Sequence, residues 1–294
     1  MNNEKKAYLV SHFCVFLWGF TAILGKLISL NAVSLVFFRM GMAAAVFLLL
    51  PTFWKNVKGF SIKDFLQFFG IGAIVCLHWL CFYGSIKLSN ASIGVVLIAL
   101  TSVFTALMEP FFFQRRLIKT DLLFGLLMVP AMLLIAQSVP KGYLCGIFLG
   151  VVSSLLAATF SILNKKYGAQ KHPFIVTWSE MIGGFLFCSI VFTGMLLWRN
   201  EPFLLPDKQN TFYLIFMVVF CTVLPFILSI WSLRHISAFT AVFLVNLEPL
   251  YGITLAYFIF HENKEMGWGF YIGAVIILAS VGGKFLLERK RKVT

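Results

Sequence analysis

The feature that most constrains this chain is a series of long apolar runs with very little between them. A hydrocarbon layer about 30 Å thick is crossed by roughly 20 apolar residues in helical geometry. By that measure the sequence divides into ten spans, at 8–28, 31–53, 62–86, 90–113, 119–138, 142–164, 173–198, 211–233, 236–260 and 265–287. The connections are too short to hold a soluble domain. The longest outer one, RNEPFLLPDKQN (199–210), carries two Pro and reads as a surface loop. Composition agrees: 60% of the 294 residues are apolar and 12% are charged, where soluble proteins carry about a quarter charged residues. The first run follows Lys5 and Lys6, is too long for the apolar region of a signal peptide and lacks a small-residue cleavage site, so it reads as a retained span.

The net charge of +13 raises the question of nucleic acid, and the placement of the bases answers it. With the N-terminus inside, the inner side receives Lys5, Lys6, Lys55, Lys58, Lys63, Arg115, Arg116, Lys119, Lys165, Lys166, Lys171, Arg234, Lys284, Arg289, Lys290, Arg291 and Lys292, which is 17. The outer side receives Lys26, Lys87, Lys141, Arg199, Lys208 and Lys264, which is six, and Arg39 stays within a span. Basic loops resist translocation, so this bias puts both termini in the cytoplasm and makes the charge a topology signal with scope for anionic-lipid contact. The expected setting is the cytoplasmic membrane, with the bilayer as partner and no nucleic acid.

Five spans is an odd number, so two five-span halves in one chain face opposite ways. Inverted repeats of this kind are a common transporter architecture. The halves are placed at 1–140 and 141–294. KLSNASIGVVLIALTSVFTALMEPFFF (87–113) lies on RHISAFTAVFLVNLEPLYGITLAYFIF (234–260) without a gap, with six identities that include Ala91/Ala238, Val95/Val242, Leu97/Leu244 and Leu100/Leu247. Thr101-Ser102 then stands opposite Glu248-Pro249, so the halves are chemically unlike at this level.

Here the residues resemble a known family. WGFTAILGK (18–26) followed by Arg39, and LVNLEPLYGITLAYFIFHEN with Pro249 and the closing His261-Glu262, are similar to the opening and penultimate spans of the EamA family in the drug/metabolite transporter superfamily. The first half departs from that pattern, closing its fourth span with Gln114-Arg115. The resemblance implies an all-α integral membrane protein of ten helices around a central cavity, moving a small metabolite by alternating access.

Ionisable groups inside a span are costly against lipid and normally face a polar interior. Five stand there: Arg39, His78, Glu109, Glu180 and Glu248. Glu248 sits about 18 Å along its helix, near the midplane. Asn246 precedes it and Tyr251 follows on the same face, while Pro249 removes a backbone hydrogen bond and frees a carbonyl near residue 245. Two readings stand: a carboxylate bonded to a neighbouring helix, or a carrier of a proton or of a substrate ammonium group. Glu180, after Trp178 in VTWSE, is the second candidate for proton coupling.

Arg39 offers a planar fork for a carboxylate or phosphate, or pairs with an acid. His78 either titrates in a solvated cavity or is a neutral core histidine. Trp18, Trp79, Tyr83, Trp178, Thr101, Asn246 and Tyr251 complete the candidate substrate contacts. Glu109 reads as an interfacial carboxylate near Arg115 and Arg116. Pro225, opposite His78 in the repeat, and Pro249 are the expected helix breaks.

The six Cys (14, 76, 81, 145, 188 and 221) all lie in apolar runs and match no metal or redox spacing, so they read as small apolar side chains. HExxH, GxSxG and GxxxxGK[ST] are all absent, so neither an enzyme nor a cofactor is expected. Ten dissimilar spans suit a carrier that works as a single copy better than a channel built from rings of like residues. The expectation is transport, with export favoured, of an amino acid or similar small solute, with the proton as candidate coupling ion. The alternatives are an organic phosphate or nucleotide-sugar exchanger and a membrane scaffold that transports nothing. An exchanger of phosphates would call for more interior bases than Arg39.

Overall fold

The computed structural model describes residues 3–137, 141–199, 205–261 and 267–291. Glu262, Lys264 and residues 200–204 of the loop expected outside the membrane lie outside the described residues. Among the described residues the chain is helical without strands. In order, the helices are α1 (Asn3–Leu27), α2 (Ala32–Leu48), α3 (Pro51–Val57), α4 (Ile62–Leu88), α5 (Ala91–Ile98), α6 (Thr101–Phe113), α7 (Lys119–Leu126), α8 (Met128–Gln137), α9 (Leu144–Leu163), α10 (Pro173–Arg199), α11 (Lys208–Val218), α12 (Leu224–Ser232), α13 (Ala238–Val245), α14 (Glu248–Phe260) and α15 (Trp268–Arg291).

Among the described residues seven segments are long and apolar enough to cross a membrane, and α2 with α3 makes an eighth if the pair is one span. That pair bends by 82°. Pro51 opens α3 and holds the preceding Leu50 in an extended conformation (φ −93°, ψ 120°), which stops α2. Two of the ten expected spans fall short of the same measure. The fifth is divided at Leu127 into α7 and α8, and the apolar part of the tenth is only Tyr271–Lys284. Both are helical, and α8 packs on α15.

Polar residues start the helices as their chemistry dictates. The side chains of Asn31, Ser61, Asn90, Asp207 and Ser237 each accept from the backbone N–H three residues on, satisfying a donor that has no partner within the helix. Small residues then allow close crossings. A Cβ on Gly72 of α4 would meet the Glu180 carbonyl oxygen of α10 at 2.1 Å, and one on Gly183 would meet Phe69 Cα at 2.6 Å. Between apolar helices in lipid, this close backbone approach is what makes packing favourable.

The fourth and ninth spans are broken in the same register. α5 and α13 are each 8 residues long and α6 and α14 each 13. At each break two amides turn to acceptors three residues back: Ala99 to Val96 (3.1 Å) and Leu100 to Leu97 (3.1 Å), Asn246 to Phe243 (3.2 Å) and Leu247 to Leu244 (3.0 Å). Each span ends on a left-handed residue, Gln114 (φ 51°) and His261 (φ 54°). The two breaks meet, because Asn246 Nδ2 donates to Ser102 Oγ at 3.2 Å. Their halves pack crosswise, α5 on α14 and α6 on α13.

Pro249 occupies the first turn of α14, and the break falls just before it, at Asn246-Leu247, where the Val245 carbonyl has no N–H at residue 249 to accept from. The first half breaks without any Pro at the matching position, Ser102. There Ser154 of α9 donates to the Leu97 carbonyl (2.7 Å) and Ser102 to the Ala99 carbonyl (2.8 Å).

Candidate functional site

A cavity of about 110 Å³ lies between the spans that begin at α1, α2, α4, α5, α9, α11 and α13. Its deep end is formed by Thr21, Arg39, His78, Trp79, Thr101 and Glu248, and its walls by Trp18, Phe82, Phe160 and Phe226. From there it reaches Ser11, Ser161, Ser229, Leu233 and Ala241. These lie towards the start of α1 and α13 and the ends of α9 and α12, so the cavity extends to the end of the bundle where the chain begins. The opposite end is held by contacts among spans. Ser29 and Asn210 exchange two hydrogen bonds of 2.8 Å, Lys87 donates to the Ile28 carbonyl, and the Lys26 ammonium lies 4.6 Å from the Phe260 ring centre.

Arg39 is only 2% exposed, and its fork is already engaged. Nε donates to Thr222 Oγ1 (2.8 Å), Nη1 to the Tyr83 hydroxyl and Nη2 to the Cys221 carbonyl (3.1 Å), while the guanidinium lies 3.7 Å over the Trp79 ring. Pro225 explains the carbonyl. In a regular helix Cys221 would accept from the N–H at 225, which Pro lacks. The π turn Val219–Val223 just before it opens the helix further, and Thr222 Oγ1 donates to the Met217 carbonyl at 2.9 Å. Pro225 thus acts as the sequence suggested, by freeing a backbone acceptor for Arg39. The alternative that Arg39 pairs with an acid is not what is found: among the described residues no carboxylate lies within 4.0 Å of it.

Glu248 is the first residue of α14, buried at 5% exposure with its side chain at the cavity. None of the described hydrogen bonds ends on its carboxylate. Thr101, the first residue of α6, occupies the matching register at the cavity, and its Oγ1 has no partner among the described residues. The second halves of both broken spans, α6 and α14, therefore start at the cavity. The carboxylate and the guanidinium act on each other electrostatically across it.

His78 lines the cavity and is also bonded as a core histidine. Its Nδ1 is 2.9 Å from the Ser153 carbonyl and 2.8 Å from Ser153 Oγ, which joins α4 to α9.

Several expected contacts lie elsewhere. Trp178 packs on Phe53 and Phe65 (ring centres 4.8 and 5.7 Å), away from the cavity. The Tyr251 hydroxyl is 3.0 Å from His12 Nε2 and its ring packs on Phe16, at the interface of α14 with α1. Glu248 and Tyr251 stand three residues apart on α14, but Glu248 lines the cavity and Tyr251 packs on α1. Asn246 is buried at the crossing of the two breaks instead of lining the cavity. Tyr83 acts through Arg39, and Glu180 is fully buried outside the cavity lining.

Glu109 caps a helix: its Oε2 accepts from the Phe239 amide (3.3 Å) at the start of α13 and from Arg115 Nη2 (2.9 Å). Sequence reasoning missed the serines at the mouth, Ser11, Ser161 and Ser229, and the aromatic wall of Phe82, Phe160 and Phe226. In a chain with 34 Phe and this many small residues, only helix packing distinguishes them.

The model of the EamA-like transporter family matches residues 5–137 and again residues 144–283. An "Uncharacterized transporter" of Archaeoglobus fulgidus is 23% identical over 183 residues, which cover 61% of this chain and 64% of that protein. A crystal structure with 13% sequence identity superposes with a TM-score of 0.70 over 97% of this chain and 99% of its own, and so shares the fold. With two matches of one family model running through nearly all of a chain rich in long apolar helices, the protein belongs to the EamA-like transporter family.

Proposed function

We propose that the protein carries a small organic solute with an ammonium group, an amino acid or a similar molecule, through the cavity by alternating access. The observation that carries this reading is Glu248, a buried carboxylate at the cavity on which no described hydrogen bond ends, facing aromatic walls and an engaged arginine. A cation there gains the carboxylate beside the rings of Trp18 and Phe226. A carboxylate on the same solute would lie towards the unpartnered Thr101 hydroxyl, on the side of Arg39. The exchanger of organic phosphates is the weaker reading, because the three donor nitrogens of Arg39 already have acceptors in the protein.

The same proposal takes 1–140 and 141–294 as two inverted repeats that rock against each other across the broken spans. The shared register of the two breaks, their crosswise packing and the two family matches support it. With the termini in the cytoplasm of a cell bounded by its inner membrane, the cavity faces inward. A carrier that loads there favours export.

Glu248→Gln tests the site. It keeps the shape and hydrogen-bonding capacity while fixing the group as neutral. If Glu248 binds the ammonium group, substrate affinity in a reconstituted exchange assay falls by well over tenfold, since a charged hydrogen bond contributes roughly 1.5 to 3 kcal/mol. If it carries the coupling proton, exchange persists and only accumulation driven by a pH gradient is lost. Wild-type behaviour in both assays makes the carboxylate structural and sinks the reading.

A further inference from the structure

We propose that a slot in the side of the bundle, apart from the central cavity, binds an anionic phospholipid. An acyl chain lies in the slot and the headgroup sits at the end of the bundle where the chain begins. The slot is a cavity of about 540 Å³ between α1, α13, α14 and α15. Tyr8, Leu9 and His12 wall it on α1, the helix that turns Ser11, Cys14 and Trp18 to the central cavity. Thr240 and Leu244 wall it on α13, Leu250 on α14, and Leu278 and Gly282 on α15. Its rim reaches the surface of the bundle, where Leu9 is 60% and Leu250 44% exposed.

The walls suit hydrocarbon. His12 Nε2 lies 3.0 Å from the Tyr251 hydroxyl, and Thr240 Oγ1 lies 2.8 Å from Ser237 Oγ, so these polar groups are engaged within the protein. The space between the walls is left to apolar contact. Length agrees, because the helix from Thr240 to Leu250 covers about 15 Å, half of a hydrocarbon layer of roughly 30 Å and so the depth of one leaflet. Charge selects the headgroup. Exposed Lys5 precedes Tyr8, Leu9 and His12 by three, four and seven residues, which places it on the same face of α1 at the end of the slot. Glu4 is the one acid beside Lys5 and Lys6. On α15, Arg289 stands two turns beyond Gly282 in the same register, in a closing run Glu288-Arg289-Lys290-Arg291 that sets three bases against one acid. Bases gathered where an apolar slot ends match an anionic headgroup above its acyl chain. A second copy docked symmetrically through this face would instead set the bases against their equals.

Lipid titrations of the purified full-length protein in detergent, read by native mass spectrometry, test this without any transport assay. Phosphatidylglycerol should bind more tightly than phosphatidylcholine with the same acyl chains. A Cβ on Gly282 meets nothing within 4 Å, so Gly282→Leu adds a side chain to the slot without a clash and should abolish phosphatidylglycerol binding. Should that variant not fold, Leu244→Trp repeats the test from the α13 wall. Lys5→Gln and Arg289→Gln should each weaken binding about fivefold, the contribution of one base at an anionic headgroup layer. Lys58→Gln, which removes an exposed base after α3, should leave it unchanged. Equal binding of the two lipids overturns the proposal. So does phosphatidylglycerol binding that survives the filled slot, or that falls as far in Lys58→Gln as in Lys5→Gln. A dimer that Gly282→Leu dissociates would also overturn it, by giving the slot to a second copy of the chain.

Discussion

Arg39 shows how one residue can serve position and charge at once. Its three hydrogen bonds tie α2 to α4 and to the π turn between α11 and α12, and its flat face rests on Trp79. It is therefore a positioning residue whose charge also faces Glu248. Arg39→Leu leaves the Tyr83 hydroxyl, Thr222 and the Cys221 carbonyl short of a donor, so it should lower stability by about 1–3 kcal/mol, the usual effect of leaving buried polar groups unsatisfied. Thermal unfolding in detergent measures that loss. Arg39→Lys keeps the charge but lacks the fork, and should recover part of the stability while transport stays well below wild type. Equal melting temperatures for Arg39→Leu and wild type would show that the network contributes nothing.

At the level of elements, the informative feature is where helices stop or touch. Pro225 does not end a helix in isolation; with the π turn before it, it presents a carbonyl to a neighbouring span. The crossing of α4 and α10 depends on glycine for a different reason, distance. Gly72→Ala puts a methyl group 2.1 Å from the Glu180 carbonyl oxygen, and neither backbone can yield cheaply. The variant should lose roughly 1–3 kcal/mol, in the range for overpacked cores. Gly70→Ala, where an added Cβ meets nothing within 4 Å, is the control and should match or exceed wild-type stability. The two melting curves, taken side by side, separate close packing from helix propensity.

For the whole molecule, orientation decides what the cavity means. The placement of the basic residues favours chain ends in the cytoplasm, and the cavity reaches the end of the bundle where the chain begins. A Cys at Lys208, exposed at the start of α11, should react with an impermeant thiol reagent applied to intact cells, whereas one at Lys58, exposed after α3, should react only in inverted vesicles. Ser229→Cys at the cavity mouth should follow Lys58 and be protected by a transported solute. The opposite labelling pattern would invert the topology and with it the proposed direction of loading.

What the sequence determined by itself is the part set by local, additive chemistry. Runs of about 20 apolar residues require a membrane, Lys and Arg placement favours one orientation, and Pro51 and the Ser, Asn and Asp caps mark where helices begin or end. Buried ionisable residues in such runs must face one another or a cavity, so Arg39, His78 and Glu248 were legible as its lining. Tertiary structure alone decided the rest. The break after Ile98 carries no breaker residue; there Ser154 reaches the Leu97 carbonyl from another span. Trp178, Tyr251 and Asn246 look like cavity residues in sequence yet point at other helices. A helix has a face for every residue, and which face meets the cavity depends on rotation about its axis, fixed by packing between residues far apart in the chain.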